Sequence, residues 1–209
     1  MTQTGTNVRR PYAPRMPLEE RRAQIVEAAL SEFLEKGFED AKIDSIAEAI
    51  GVSKPVLYGA FDSKEAIAVA AVEEAHRREA EMNIEADELH SYSLLAEGKV
   101  TPLFELIFRL ASQEPRLFGF LYSDFRSAPP QAVAFHDQVF EIRTIGLVHH
   151  LSIFFAGRPG GRELAVAAAE MISSVGRRGL LKVARGEVDD TEELAALYGG
   201  LIERGIQSY

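Results

Sequence analysis

Between Ile46 and Phe61 the chain reads IAEAIGVSKPVLYGAF, two short apolar runs parted by Gly51 and Ser53, with Pro55 just beyond the break. The pattern predicts helices at about Ile43–Ile50 and Lys54–Tyr58. Neither can hold together alone in water, where isolated helices shorter than about 12–15 residues are marginal. They persist only if packed on each other and on the helix before them. Ile46, Ile50, Val52, Leu57 and Ala60 fall where a tight pair points side chains inward, and Ala47 and Gly51 fall where the two backbones approach. Ser53 is placed to accept from the orphan amides of the second helix. Pro55 sits in that helix's first turn, where a missing N–H costs little. Such a unit is a helix-turn-helix, which lays its second helix in the DNA major groove while the first crosses the backbone. An ordinary hairpin inside a bundle would need the apolar and small residues to coincide at all these positions.

Around this unit the chain reads as helical throughout, with no alternating strand pattern, so the expected fold class is all-α. A first helix spans about Leu18–Lys36, with Ile25, Ala29 and Phe33 on its buried stripe. Gly37 stops it, and Phe38 can fold back onto its last turn. Another helix starts near Ser63, where Asp62 and Glu65 have capping-box spacing, and runs to about Asn83. Further segments fall at about Pro102–Gln113, Pro115–Arg126, Pro130–Phe155, Gly161–Ala184 and Thr191–Gln207, punctuated by APP at 128–130 and GRPGG at 157–161. The domain reading is a flexible basic arm at 1–17, a helix-turn-helix domain at 18–63 and a larger helical domain at 64–209.

Charge is unevenly spread. The net charge is −9, yet residues 1–64 carry nine Lys/Arg against ten Asp/Glu, and the acidic excess collects in residues 65–209. That asymmetry suits a chain that approaches a polyanion with one end. The absence of cysteine excludes disulfides and thiolate metal sites and fits a reducing compartment. The first residues lack the apolar run of a signal peptide. The longest uncharged apolar stretch, Thr144–Gly157, falls short of the ~20 residues a membrane helix needs. The expectation is a cytoplasmic protein with no membrane partner.

IDSIAEAIGVSKPVLYGAFDSKEAI, with EERRAQIVEAALSEFLEKGF before it, resembles the signature of tetracycline-repressor-like (TetR family) regulators over about residues 18–70. The resemblance implies that Ser53, Tyr58 and Lys64 contact DNA phosphates and that Lys54, Pro55 and Val56 face bases, and Gly59 is a further candidate DNA-binding residue. Lys54 can reach a guanine edge, while Pro55 and Val56 offer apolar contact to thymine methyl groups. Two positions depart from the family. Lys42 stands where Thr is frequent, so it supplies charge to the backbone rather than a cap. Ala60 replaces the usual His or Tyr, removing one phosphate contact. Binding then leans on Lys42, Lys64 and the arm's Arg9, Arg10 and Arg15, which could reach the minor groove or form a plain tail.

In the larger domain nine of the twelve phenylalanines lie between Phe104 and Phe155. They form either a core or an apolar pocket with a few polar groups. The resemblance implies a site there for a small apolar or amphipathic effector. Candidate lining residues are Phe104, Phe108, Phe118 and Phe140, with Arg109, Tyr122, His136 and Arg143 as the polar groups. The 130–155 helix carries two adjoining apolar stripes and is expected to be central. His136 and His149 are roughly 20 Å apart along a helix, so no metal site is expected. Nor is any cofactor or catalytic constellation: Ser173 and Ser174 have no base beside them. The last two helices are rich in Ala, Gly and Ser, which lets helices approach closely. With the resemblance this suggests a homodimer interface through Ala168, Ile172, Val175 and Gly179 of one helix and Leu197, Gly200 and Leu201 of the other, close packing within one subunit being the alternative. The functional expectation is a repressor that binds a palindromic double-stranded DNA operator as a dimer and is released by its effector. A regulator without an inducer, and an all-helical ligand-binding protein not acting on DNA, stay open.

Overall fold

The stripe expected on the first helix is the one that is buried. In the computed structural model, which describes residues 16–209, α1 (Leu18–Asp40) buries Ile25, Ala29, Leu30 and Phe33. Arg9, Arg10 and Arg15 lie outside the described residues. Gly37 takes φ +74°, a left-handed value that breaks the helical course, and turns Phe38 back so that its ring lies 5.0 Å from that of Phe33. Phe38 also meets Phe120 and Phe125, tying the end of α1 to the larger domain.

The two stub helices are α2 (Ile43–Ala49) and α3 (Lys54–Tyr58). Gly51 turns between them at φ +66°, and the Val52 amide donates to the Ala47 carbonyl at 3.0 Å. Ile46, Ala47, Leu57 and Ala60 are buried, while Ile50 and Val52 are half-buried at the edge. Two capping expectations need correction. Ser53 holds the N-cap position of α3, but its side chain caps nothing. The cap of α4 (Lys64–Glu85) is Ser63, not Asp62, with its hydroxyl accepting from the Ala66 amide at 3.1 Å. The start of α2 is satisfied from a distance: Glu32 of α1, paired to Lys36 at 2.9 Å, accepts from the Lys42 amide at 3.2 Å.

Helix α4 serves both regions. Its first half packs Ile67, Ala71 and Val72 into the core shared with α1, and its second half buries His76, Glu79 and Asn83. Asp87 in the left-handed region (φ 60°) separates it from α5 (Glu88–Leu95). There follow α6 (Thr101–Gln113), α7 (Pro115–Leu121), α8 (Pro130–Phe154), α9 (Gly161–Ala184) and α10 (Thr191–Gln207). Helix α7 ends several residues earlier than the sequence suggests, because Ser123–Ala128 forms a loop held by Arg177, which donates to the Tyr122 and Ser123 carbonyls at 3.0 and 2.6 Å.

The expectation that α8 is central is overturned. Only Ala132, His136, Leu147 and Leu151 of α8 are buried, and Ile142, Ile145 and Ile153 face outward. Its neighbours cover one side of it. The central element is α6, which buries Leu103, Phe104, Leu106, Phe108 and Leu110 against α9 and α10. Among the described residues there is no strand, and no helix is long and apolar enough to cross a membrane.

Candidate nucleic-acid interface and ligand cavity

The surface of α3 follows from how little of it is needed inside. Leu57 anchors the helix in the core, which leaves Ser53, Lys54, Pro55, Val56, Tyr58 and Gly59 exposed. The Lys54 ammonium reaches Asp44 of α2 at 2.9 Å in an exposed pair that DNA could readily displace. Lys42 is exposed at the start of α2. Lys64 is half-buried and donates to the Ala41 carbonyl at 2.7 Å, closing the end of α1, with two ammonium protons left for another acceptor. One positioning residue was not anticipated. Arg22 donates to the Ala60 carbonyl at 2.8 Å and lies over the Phe61 ring at 4.4 Å, fixing the exit from α3. The paired arginines opening α1 were its only sequence signal.

In the larger domain a cavity of about 250 Å³ opens between α4, α5, α6, α8 and α9. Tyr122, Phe140 and Arg143 line it, as expected, with Leu103, Ile107, Leu147, Ile172 and Leu180 as apolar wall. The other expected lining residues lie elsewhere. Phe104 and Phe108 are fully buried core, stacked 5.4 Å apart, and Phe118 is core beside Tyr122. Arg109 points to solvent, since α6 shows only that edge to water. His136 is buried outside this cavity, stacked on Phe125 at 4.0 Å, with Nδ1 3.1 Å from His76 Nε2. Burial, then the neighbouring His76, pushes its pKa down to about 4.

The polar heart beside the cavity comes from α4, which the sequence reading left out. Glu79 is 1% exposed, and its carboxylate accepts from Arg143 at 2.8 and 2.7 Å and from the Tyr122 hydroxyl at 2.8 Å. Burial alone would push Glu79 up; the Arg143 charge, the His76 ring 3.6 Å away and the hydrogen bonds from Arg143 and Tyr122 outweigh it and hold the carboxyl at about 2. Glu88, half-buried at the cavity, is instead raised, by burial and by nearby Glu79. Asn83, Tyr92, Thr144, Ser173, Ser174 and Arg177 complete the polar lining. The signal for Glu79 and Asn83 was their helical spacing from His76, a polar stripe on the face of α4 that turns inward.

Residues 25–71 match the profile of the bacterial regulatory proteins of the tetR family. That segment is a tetR-family regulatory-protein domain. A curated relative, the HTH-type transcriptional activator FasR of Mycolicibacterium smegmatis, is 50% identical over 50 residues, 24% of this chain and 23% of that protein. The chain thus spans about a quarter of the length of that relative. Over the whole fold it is similar to a TetR-like regulator from Rhodococcus sp. RHA1, with a TM-score of 0.67 at 25% identity, covering 93% of this chain and 100% of the other. It shares its fold with FadR of Bacillus subtilis, solved in complex with stearoyl-CoA, at TM-score 0.65 and 17% identity over 88% of this chain and 98% of that one.

The small-residue interface expectation divides. Ala168, Ile172 and Gly179 are buried within the protomer, so they cannot meet a partner: Gly179 lies against Phe108 and Tyr198, and Ile172 against the cavity. Val175 and Gly200 are half-buried. Leu197 and Leu201, one turn apart on α10, are 54% and 56% exposed, and Val166 and Met171 are exposed on α9.

Proposed function

We propose that this chain is a tetR-family, ligand-released transcriptional repressor acting in the cytoplasm, which binds a palindromic double-stranded DNA operator as a homodimer through α2 and α3. The observation that carries the reading is the outward face of α3, where Lys54, Val56 and Tyr58 stand exposed while Leu57 alone holds the helix in place. Lys54 serves as the base-reading group and Lys42, Ser53, Tyr58 and Lys64 as phosphate contacts, with Pro55, Val56 and Gly59 in the groove. Selection of the operator from random DNA, followed by binding titrations, tests this. Lys54→Ala weakens operator binding about tenfold and relaxes the sequence requirement at one position per half-site. Lys64→Ala weakens all sequences alike and lowers the salt slope by about 1. A Lys54→Ala variant with unaltered affinity and specificity would falsify the assignment.

The exposed pair Leu197 and Leu201, with Met171 and Val166, supports a dimer face on α9 and α10. Two-fold pairing there would set the two α3 helices about one DNA turn, ~34–36 Å, apart. The double variant Leu197→Glu, Leu201→Glu should sediment as a monomer and lose about tenfold or more in operator affinity. A dimer that survives the substitutions moves the interface elsewhere.

The cavity beside Arg143 serves as the effector site. FadR, with the same fold, was solved with an amphipathic molecule, which supports that role. Coupling runs through α4: its second half supplies Asn83 to the cavity and holds the cavity-lining Arg143 through Glu79, and its first turns brace α1. A ligand that shifts α4 changes the spacing of the reading heads. By linkage, operator and effector then weaken each other's binding by the same factor.

A further inference from the structure

The link between α1 and α2 is two residues long, Ala41 and Lys42, and the peptide unit that joins them is held from both sides. Its carbonyl, on Ala41, accepts from the Lys64 ammonium at 2.7 Å. Its N–H, on Lys42, donates to the Glu32 carboxylate at 3.2 Å. A cation at the oxygen and an anion at the N–H polarise one amide in the same sense, which strengthens both bonds. Among the residues that α1 buries, Glu32 is the charged one, at 8% exposure, a costly place for a carboxylate. Burial pushes its carboxyl up, but the bonds from Lys36 and the Lys42 amide outweigh it and keep the group below its ordinary value, so it is ionised at neutral pH. The Lys42 side chain, by contrast, is exposed, makes no cap to α2 and forms no ion pair among the described residues.

Resting on the reading of Lys42 and Lys64 as phosphate contacts, we infer that Glu32 is a positioning residue for DNA binding, which clamps the Ala41–Lys42 peptide against Lys64 and so fixes the direction in which the Lys42 side chain leaves the backbone. That peptide holds Lys42 at φ −116° and ψ 135°, while the Lys42 carbonyl accepts from the Ile46 amide at 3.2 Å and opens α2. A lysine ammonium is reached through a long flexible stem, so a backbone that also wandered would lose the contact to conformational entropy. Lys64 grips the other side of the same peptide, and the two ammonium groups are thereby registered to each other. Charge alone argues the reverse. Glu32 is an anion in the DNA-binding region, and its removal should by that account tighten binding to a polyanion. Positioning and charge therefore predict opposite signs.

Titration of the full chain with a duplex selected from random DNA, at several salt concentrations, tests the inference. Glu32→Gln and Glu32→Leu are close in volume and remove the same charge, but only glutamine keeps an oxygen that can accept from the Lys42 amide. Glu32→Gln should bind the operator at least about fivefold tighter than Glu32→Leu, and the difference should persist on a random duplex, because phosphate contacts carry it. Leucine suits the buried face of α1, and Tm confirms that both variants are folded. In the Glu32→Gln background Lys42→Ala should weaken binding about fivefold and lower the salt slope by about 1; in the Glu32→Leu background it should change affinity by less than about twofold. Equal affinity of the two Glu32 variants overturns the inference, as does a Lys42→Ala cost that is the same in both backgrounds; either result leaves DNA binding by the wild-type chain intact. If the full chain selects no duplex at all, the DNA-binding reading fails and the positioning role falls with it.

Discussion

Arg143→Met should destabilise the protein by about 3–5 kcal/mol, the cost of stranding a buried carboxylate without its counter-ion. Glu79 accepts from three donor atoms of Arg143 and Tyr122, and at 1% exposure water cannot replace them. For a chain of this size the loss corresponds to a fall of about 6–20 °C in Tm. The double variant Glu79→Leu, Arg143→Met should recover most of it, since an apolar pair of similar volume carries no desolvation penalty. The acid response gives an independent check. The Glu79 carboxyl lies near 2 in the folded chain against an ordinary 4.5, so its contribution is fully present above about pH 4.5 and disappears as the pH falls toward 2. In Arg143→Met the burial that Arg143 offset now dominates, and the folded value rises above the unfolded one. The sign then inverts, and the variant should gain stability relative to wild type on acidification. Urea unfolding followed by circular dichroism at about pH 7 and pH 4 measures both effects. Equal stability of Arg143→Met and wild type near neutral pH would mean that the pair contributes nothing.

The same residues show what a sequence can and cannot reveal. The helix-turn-helix was legible because its determinants are local: Ala47, Gly51, Leu57 and Ala60 lie within a few turns of one another, and their sizes fix the approach of α2 to α3. The buried network was only half legible. Arg143 and Tyr122 stood out as polar groups in a phenylalanine-rich stretch, but Glu79 is 64 residues before Arg143 and 43 before Tyr122, and nothing local marks a glutamate in a charged helix as buried. Asn83 and Glu88 were missed for the same reason. The apolar stripes of α8 misled because hydrophobicity records which faces could be covered, not which neighbours arrive; Ile142 and Ile145 carry the pattern and remain outside. Glycine on the last helices was read as contact with a second subunit. Gly176 and Gly179 instead admit the Phe104 and Phe108 rings of their own chain.

Gly199 carries that point furthest, and Gly199→Ala should cost about 2–4 kcal/mol although alanine is the better helix former by about 1 kcal/mol. A Cβ at this position would lie 2.5 Å from the Thr101 Cα, 2.4 Å from its Oγ1 and 2.8 Å from its amide nitrogen. The obstacle is largely backbone, at the first residue of α6, and cannot swing aside as a side-chain tip can. The contact also positions a charge. One turn after Gly199, Glu203 accepts from the Val100 and Thr101 amides, both at 2.7 Å, and so satisfies donors at the start of α6 that have no partner within the helix. Pushing α10 outward to admit a methyl group withdraws that carboxylate from a helix N-terminus, where a negative charge is favourable. Packing and capping are therefore lost together. Gly200→Ala provides the contrast, because its Cβ would meet only the Arg204 guanidinium at 3.5 Å. In a Leu197→Glu, Leu201→Glu background it should raise stability by up to about 1 kcal/mol through helix propensity alone. A Gly199→Ala protein as stable as wild type would show that α10 can pivot away from α6 at no cost, and that Glu203 does not hold the two helices together.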